Sequence, residues 1–314
     1  MKLHLDKEIF QELIVLTAVQ FNINPIFVEK DYWITLVLSR LAKSKYVGES
    51  VFKGGTSLSK GYKLIERFSE DVDIAIINDK FKTGGEIKTI IRTIEKEITS
   101  DLKELQVDGV TSKGSRFRKS VFGYESAEKG NNNNKLIVEI NSFANPFPNE
   151  RLTIHSMIFD FLMQTKNENY IEQYNLQSFE VNVLSKNQTL IEKMVSLIRF
   201  SFKENPVIGL SEKIRHFYDL YFLMKNIECF EFVASGSFKV QFHAILNHDK
   251  EMFEEPNGWQ NKLTVESPLI NNFSSIWQQL KEKYQNELSA LAYRPIPNEK
   301  DIAKCFENLI TKIK

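Results

Sequence analysis

The sequence predicts an α+β fold, with a mixed sheet and flanking helices over residues 1–185 and a helical bundle over 186–314. Three observations predict it. Up to Leu184, short apolar runs bounded by glycine or asparagine alternate with stretches of helical periodicity. From Gln188 onward the chain reads as helix after helix. No internal repeat links the two halves, so they are separate layers of one chain and not copies. Of the 314 residues, 42% are hydrophobic and 26% charged, which excludes a disordered chain. Forty-one basic residues balance forty-one acidic ones, so no global positive field gathers nucleic acid, and such a partner must meet a local patch. Cys229 and Cys305 are too few for a disulfide framework or a structural zinc site. The first residues turn charged at once, and no run of about 18 uncharged apolar residues follows. The expectation is a cytoplasmic protein with no membrane partner.

Element by element, residues 7–20 carry a helical stripe through Phe10, Leu13 and Ile14. Asn24-Pro25 joins an N-cap acceptor to a first-turn proline and starts a helix towards Leu41. Residues 50–53 form a short strand running into Gly54-Gly55, residues 56–65 a short helix and residues 71–77 a second strand. A helix covers 84–104, with Ile87, Ile90, Ile91, Ile94 and Ile98 on one side. Strand-like pieces at 105–111, 116–124 and 135–141 flank a hairpin tip at 128–134, rich in glycine and asparagine. A helix over 153–174 and a strand over 179–184 complete the first half, and helices follow at 188–203, 211–225, 237–253, 270–291 and 299–312.

The stretch that carries chemistry is Phe52-Lys53-Gly54-Gly55-Thr56-Ser57-Leu58, followed by Arg67-Phe68-Ser69-Glu70-Asp71-Val72-Asp73-Ile74. Two glycines after a strand allow a tight turn and a close approach to a ligand. If Thr56 and Ser57 open a helix, their N–H and hydroxyl groups face outward as a phosphate cradle. Asp71 and Asp73 alternate with Val72 and Ile74, so both carboxylates leave one strand face. Neighbouring carboxylates repel, and a hard divalent cation is the usual reason to hold them together. Glu139, an acid inside an apolar run, offers a third carboxylate for a two-metal site. Each part has a plainer reading: a solvated strand face, a simple turn, an exposed edge-strand acid. Their order along the chain favours the site.

That order resembles the nucleotidyltransferase superfamily with a polymerase-β-like core, and more narrowly the AbiEii/AbiGii toxins of bacterial abortive-infection and toxin–antitoxin systems. The resemblance begins at Glu29-Lys30-Asp31-Tyr32-Trp33 and is strongest over 52–74. It returns at Thr189-Leu190-Ile191-Glu192-Lys193 and at Arg215-His216-Phe217-Tyr218-Asp219-Leu220. It implies that Gly54, Gly55, Thr56 and Ser57 hold a nucleoside triphosphate, that Asp71, Asp73 and Glu139 ligate two Mg²⁺ ions, and that Lys193 is a point charge on the β- and γ-phosphates. Without the family pattern, Lys193 reads as a surface lysine paired with Glu192 or Glu204. Asp219 lies four residues after Arg215, and such a pair would orient Lys193 or the nucleotide.

Lys113-Gly114-Ser115-Arg116-Phe117-Arg118-Lys119 packs four positive charges and an aromatic ring into seven residues. Arg116, Arg118 and Lys119 suit the backbone phosphates of an RNA acceptor, while a solvated basic edge strand is the alternative. Lys60 and Lys63 add to a positive rim on this reading. The function implied is NMP transfer from an NTP to RNA, tRNA first, by a toxin restrained by a separately encoded antitoxin. Transfer to a protein side chain, a non-catalytic nucleotide-binding module and a metal-dependent nuclease stay open.

Overall fold

Helix starts in the first half follow the capping residues. Asp6 caps α1 (Lys7–Phe21), and Asn24 with Pro25 opens α2 (Pro25–Leu41). The chain continues through β1 (Ser50–Lys53), α3 (Gly54–Lys60) and β2 (Asp71–Ile76). Thr83 and Glu86 then form a capping box on α4 (Gly84–Ile98). After it come β3 (Lys103–Leu105), β4 (Ser112–Lys113), β5 (Phe117–Gly123), β6 (Lys135–Asn141) and β7 (Asn149–Ile154). Helices α5 (Met157–Gln164) and α6 (Glu168–Gln173) lead to β8 (Phe179–Leu184). This computed structural model describes residues 1–69, 71–77, 83–127 and 134–314.

The eight strands make one mixed sheet in the order β3-β5-β6-β2-β1-β8-β7, with β4 paired to β5. Strand β2 runs antiparallel to β1 and parallel to β6. One face carries Val72, Ile74, Val138 and Ile140 into the main core, which includes Ile91 and Ile94 of α4 and Val37 of α2. These side chains alternate with Asp71, Asp73 and Glu139 along their strands, so the acids stand on the opposite face.

Several expected boundaries moved. The helix expected from 84 ends at Ile98, and the one expected at 56–65 is Gly54–Lys60. Residues 149–154 are a strand, and the helix expected over 153–174 is divided into α5 and α6. Strand β7 pairs only with β8 and carries exposed Glu150, Arg151 and Thr153, so it lacks the apolar alternation of a buried strand. The expected hairpin tip falls mostly on residues 128–133, outside the described residues; its flanking strands β5 and β6 pair antiparallel from Phe117–Asn141 to Gly123–Lys135.

By contacts the chain divides into two units, one of Met1–Lys63 with Phe68–Leu184 and one of Leu64–Arg67 with Ser185–Lys314. The second unit holds α7 (Lys186–Phe200), α8 (Pro206–Ser211), α9 (Ile214–Lys225), α10 (Ile227–Ala234), α11 (Gly236–Met252), α12 (Pro268–Asn271), α13 (Phe273–Leu291) and α14 (Glu299–Thr311). Phe217, Phe273, Trp277 and Phe306 form its aromatic centre. The segment 64–67 joins this unit through backbone: Arg67 bridges Ala292, and Tyr293 N–H donates to the Glu66 carbonyl at 3.1 Å. Among the described residues no single helix is long and apolar enough to cross a membrane.

Candidate active site

Strand register gathers the charged residues of the sheet's acidic face. Lys119 on β5 stands opposite Glu139 on β6, Glu139 opposite Asp73 on β2, and Asp73 opposite Lys53 on β1. Residues in register share a sheet face and come within side-chain reach. The row therefore reads cation, acid, acid, cation across four strands, with Asp71 two residues from Asp73 on the same face. Burial, then the Glu139 and Asp71 charges, push the Asp73 carboxyl up to about 8, against the opposing pull of Lys53 and Lys119.

The turn ahead of β2 is built around Asp73. Gly54 has φ +78°, and a Cβ there would stand 2.1 Å from Asp73 Oδ2. Only glycine combines that backbone with such an approach. Gly54 and Gly55 are the first residues of α3, whose leading N–H groups have no partner one turn back. The expectation for Thr56 and Ser57 is corrected. Both are buried, Thr56 Oγ1 donating to the Asp71 carbonyl at 2.5 Å and Ser57 Oγ to the Gly54 carbonyl at 2.8 Å. A hydroxyl turned inward satisfies a buried acceptor, so Thr56 ties the turn to β2 and Ser57 closes the first turn of α3 on itself, and neither hydroxyl points outward as expected.

A divalent ion suits this donor set. Asp71, Asp73 and Glu139 offer oxygen donors, and their mutual repulsion at Asp73 is what a cation would relieve. Among the described residues, however, no three acidic, histidine or cysteine groups already converge in metal-ligand geometry. Glu139 instead leans towards Lys119, Oε2 to Nζ 3.5 Å.

In the helical unit, Lys193 on α7 and Asp219 on α9 form an ion pair at 2.8 Å. Arg67 completes it, Nε and a terminal nitrogen donating to the two Asp219 oxygens at 2.7 Å each. Burial alone would raise the Asp219 pKa, but the Arg67 guanidinium and Lys193 ammonium hold it well below the carboxylate range. His216 beside them is kept neutral by burial and by Lys193 and Lys213. The expected Arg215–Asp219 pair does not form. Arg215 bonds Glu287 at 2.9 Å, because the Arg67 fork already occupies both Asp219 oxygens. The surface pairing of Lys193 is likewise replaced by a buried one.

The basic segment is mostly engaged within the protein. Arg118 Nε donates to Glu95 of α4 at 2.6 Å, on the helix-covered face, and Ser120 bonds the same carboxylate. Of Arg116, Arg118 and Lys119, Arg116 is the exposed one. Lys60 is not a rim residue either: its ammonium donates to Asp31, Thr35 and the His155 carbonyl, each within 2.8 Å. The Glu29–Trp33 stretch is structural, since Glu29 caps Ser126 and Ala127, and Asp31 also accepts from Met157 N–H. Sequence reasoning missed Arg67 and gave Lys53 no role. Lys53 had a signal, a charge ending the strand before the glycine turn; Arg67 had none local, as its partner lies 152 residues away.

The family profile described as nucleotidyl transferase AbiEii toxin, type IV TA system, matches residues 36–308. Among solved structures, MenT4, a nucleotidyltransferase toxin from Mycobacterium tuberculosis H37Rv, is similar at 14% identity and a TM-score of 0.48. That similarity covers 95% of this chain and 89% of that one. No curated protein matches.

Proposed function

The chain belongs to the AbiEii family of nucleotidyltransferase toxins of type IV toxin–antitoxin systems, and on that premise we propose a Mg²⁺-dependent transfer of NMP from an NTP to RNA. The first candidate acceptor is tRNA, and pyrophosphate is released. The observation that carries the reading is the register of Asp73 beside Glu139, with Asp71 on the same face and a side-chain-free Gly54 against the carboxylate.

Asp71 and Asp73, with Glu139, would hold the divalent ions. Bound there, such ions lower the pKa of an acceptor hydroxyl and offset charge on the leaving pyrophosphate. Thr56 keeps the glycine turn against β2, and Ser57 braces the turn through the Gly54 carbonyl, so the α3 N–H groups and the acids are presented together. Lys193 supplies a compact positive charge for the phosphates, a role supported by its place in the family pattern. A cognate antitoxin and a cytoplasmic role in phage defence belong to the same reading.

A second acceptor class is favoured by one observation. Arg118 and Lys119 face internal acids and the net charge is zero, which leaves little of the expected RNA-binding segment and suits a protein side chain as acceptor. Incubation with each labelled NTP, Mg²⁺, total tRNA and cell lysate separates the possibilities. Label on RNA supports the first reading and label on protein the second. Shortened RNA indicates a nuclease, and no label on any species counts against transfer.

A further inference from the structure

The charge row across the sheet contains a cation in the place where a metal-binding acid should be free. Glu139 is in register with Asp73 on one side and with Lys119 on the other, and its carboxylate leans to Lys119. Both side chains are partly exposed, 30% for Lys119 and 24% for Glu139, so the pair is held loosely. We propose that Lys119 is an exchangeable internal counter-ion of this site: it holds Glu139 while no divalent ion is bound, gives it up when the acid turns towards Asp73, and then serves the triphosphate.

The geometry carries each half. With Lys119 removed from the β5 side of the row, Glu139 would be left facing Asp73, the acid in register with it on β2. Lys53 closes the other end of the row. A glutamate turns about its side-chain bonds without moving β6, so the exchange needs no backbone change. Once released, the Lys119 ammonium stays on the acidic face, anchored on β5 one strand beyond the acid it left. A compact ammonium on a flexible stem is suited to meeting phosphate oxygens there. Arg118, the next residue back, cannot do this, because it is committed to Glu95 on the other face.

This inference rests on the metal-site reading above, and its test separates the two. Mn²⁺ binding is measured by calorimetry on the full chain, and then inorganic triphosphate binding in the presence of Mn²⁺. Lys119→Met keeps the stem and removes the charge. It should tighten Mn²⁺ by about two- to fivefold, the size of a partly exposed ion pair. It should weaken triphosphate by about tenfold or more, the size of a charged hydrogen bond. Lys119→Gln repeats both measurements with a polar side chain, should the methionine variant not fold. Lys113→Met, which removes a charge paired with Glu104, should change neither. Unchanged or weaker Mn²⁺ binding by Lys119→Met, beside a wild type that binds, overturns the exchange. Tighter Mn²⁺ with unchanged triphosphate affinity overturns the phosphate role. A wild type that binds no Mn²⁺ overturns the metal-site reading as well.

Discussion

Asp73 and Asp219 are both enclosed aspartates, and their surroundings drive them in opposite directions. On the sheet, burial and the neighbouring acids Glu139 and Asp71 push the Asp73 carboxyl up to about 8. In the helical unit, Arg67 and Lys193 overcome burial and hold Asp219 ionised far below the ordinary carboxylate range. One region stores like charges, the other satisfies opposite ones. Like charges cost stability and await a ligand, whereas a fork of opposite charges secures a chain segment. The contrast identifies which acid the fold can do without and which it cannot.

The largest effect should come from removing the stored charge. Asp71→Asn combined with Asp73→Asn should reduce nucleotidyl transfer to background, each amide alone costing on the order of 10²–10³ in turnover. Circular dichroism should show the fold retained, and full activity in the double variant would remove the acids from the chemistry.

Next is the satisfied acid. Asp219→Ala leaves Arg67 and Lys193 buried without their carboxylate and should destabilise the protein by about 3–5 kcal/mol in urea titration. If the loss is under about 1 kcal/mol, the cluster behaves as a surface pair and the contrast fails. Acid should act on the same unit. His216 is neutral when folded, with its pKa below 6.5, so the unfolded chain binds more protons as pH falls through 6.5, and stability drops. Asp219 adds a further loss below 3.8, because its folded pKa is depressed and its contribution is present only above the unfolded value. In an Asp73→Asn background, which removes the opposing gain from the raised Asp73 carboxyl, stability measured from pH 8 to pH 3 should fall in that order, and an added His216→Phe substitution should lose the first step.

Lys193 tests whether the satisfied cluster also serves catalysis. Lys193→Ala should lower kcat by about 10²–10³ with little change in Mn²⁺ affinity, and Lys193→Arg should restore part of it. Near-normal turnover would leave Lys193 a structural partner of Asp219 alone. The smallest effect has the opposite sign. Asp73→Asn should stabilise the metal-free protein at pH 7 by about 0.5–2 kcal/mol, because a carboxyl that titrates near 8 when folded must take up a proton on folding and an amide need not. Destabilisation by this variant would mean that Asp73 is held by contacts and not strained by them.

Much of this contrast was legible along the chain. Period-two alternation at Asp71, Val72, Asp73 and Ile74 gave the acidic face, and the acid within the apolar run of β6 pointed to Glu139. The glycine pair announced the turn. What the chain concealed were long-range pairings and the parity of faces. Nothing local ties Arg67 to Asp219, 152 residues away. Arg118 looked like a phosphate contact until its strand position set it over Glu95 on α4. Thr56 and Ser57 had the composition of a cradle, but the Thr56 hydroxyl found the Asp71 carbonyl on β2 and that of Ser57 the Gly54 carbonyl in the turn. Strand β7 was missed because an exposed edge strand needs no apolar pattern.

The segment Leu64–Arg67 gives the molecule a timetable. It leaves the ribosome well before its partners, since Asp219 follows Arg67 by 152 residues and Tyr293 follows Ile65 by 228. At about 5–20 residues per second, those partners appear roughly 8–45 s later. Throughout that interval Arg67 waits for Asp219, while Phe68 beside it already has its stacking partner Phe27. A newly made chain therefore has both pairing partners of its acidic strand once residue 141 is made, but anchors Arg67 only when almost all of it has been synthesised, and a ribosome that stalls before residue 292 leaves a product that lacks the bridge to Arg67.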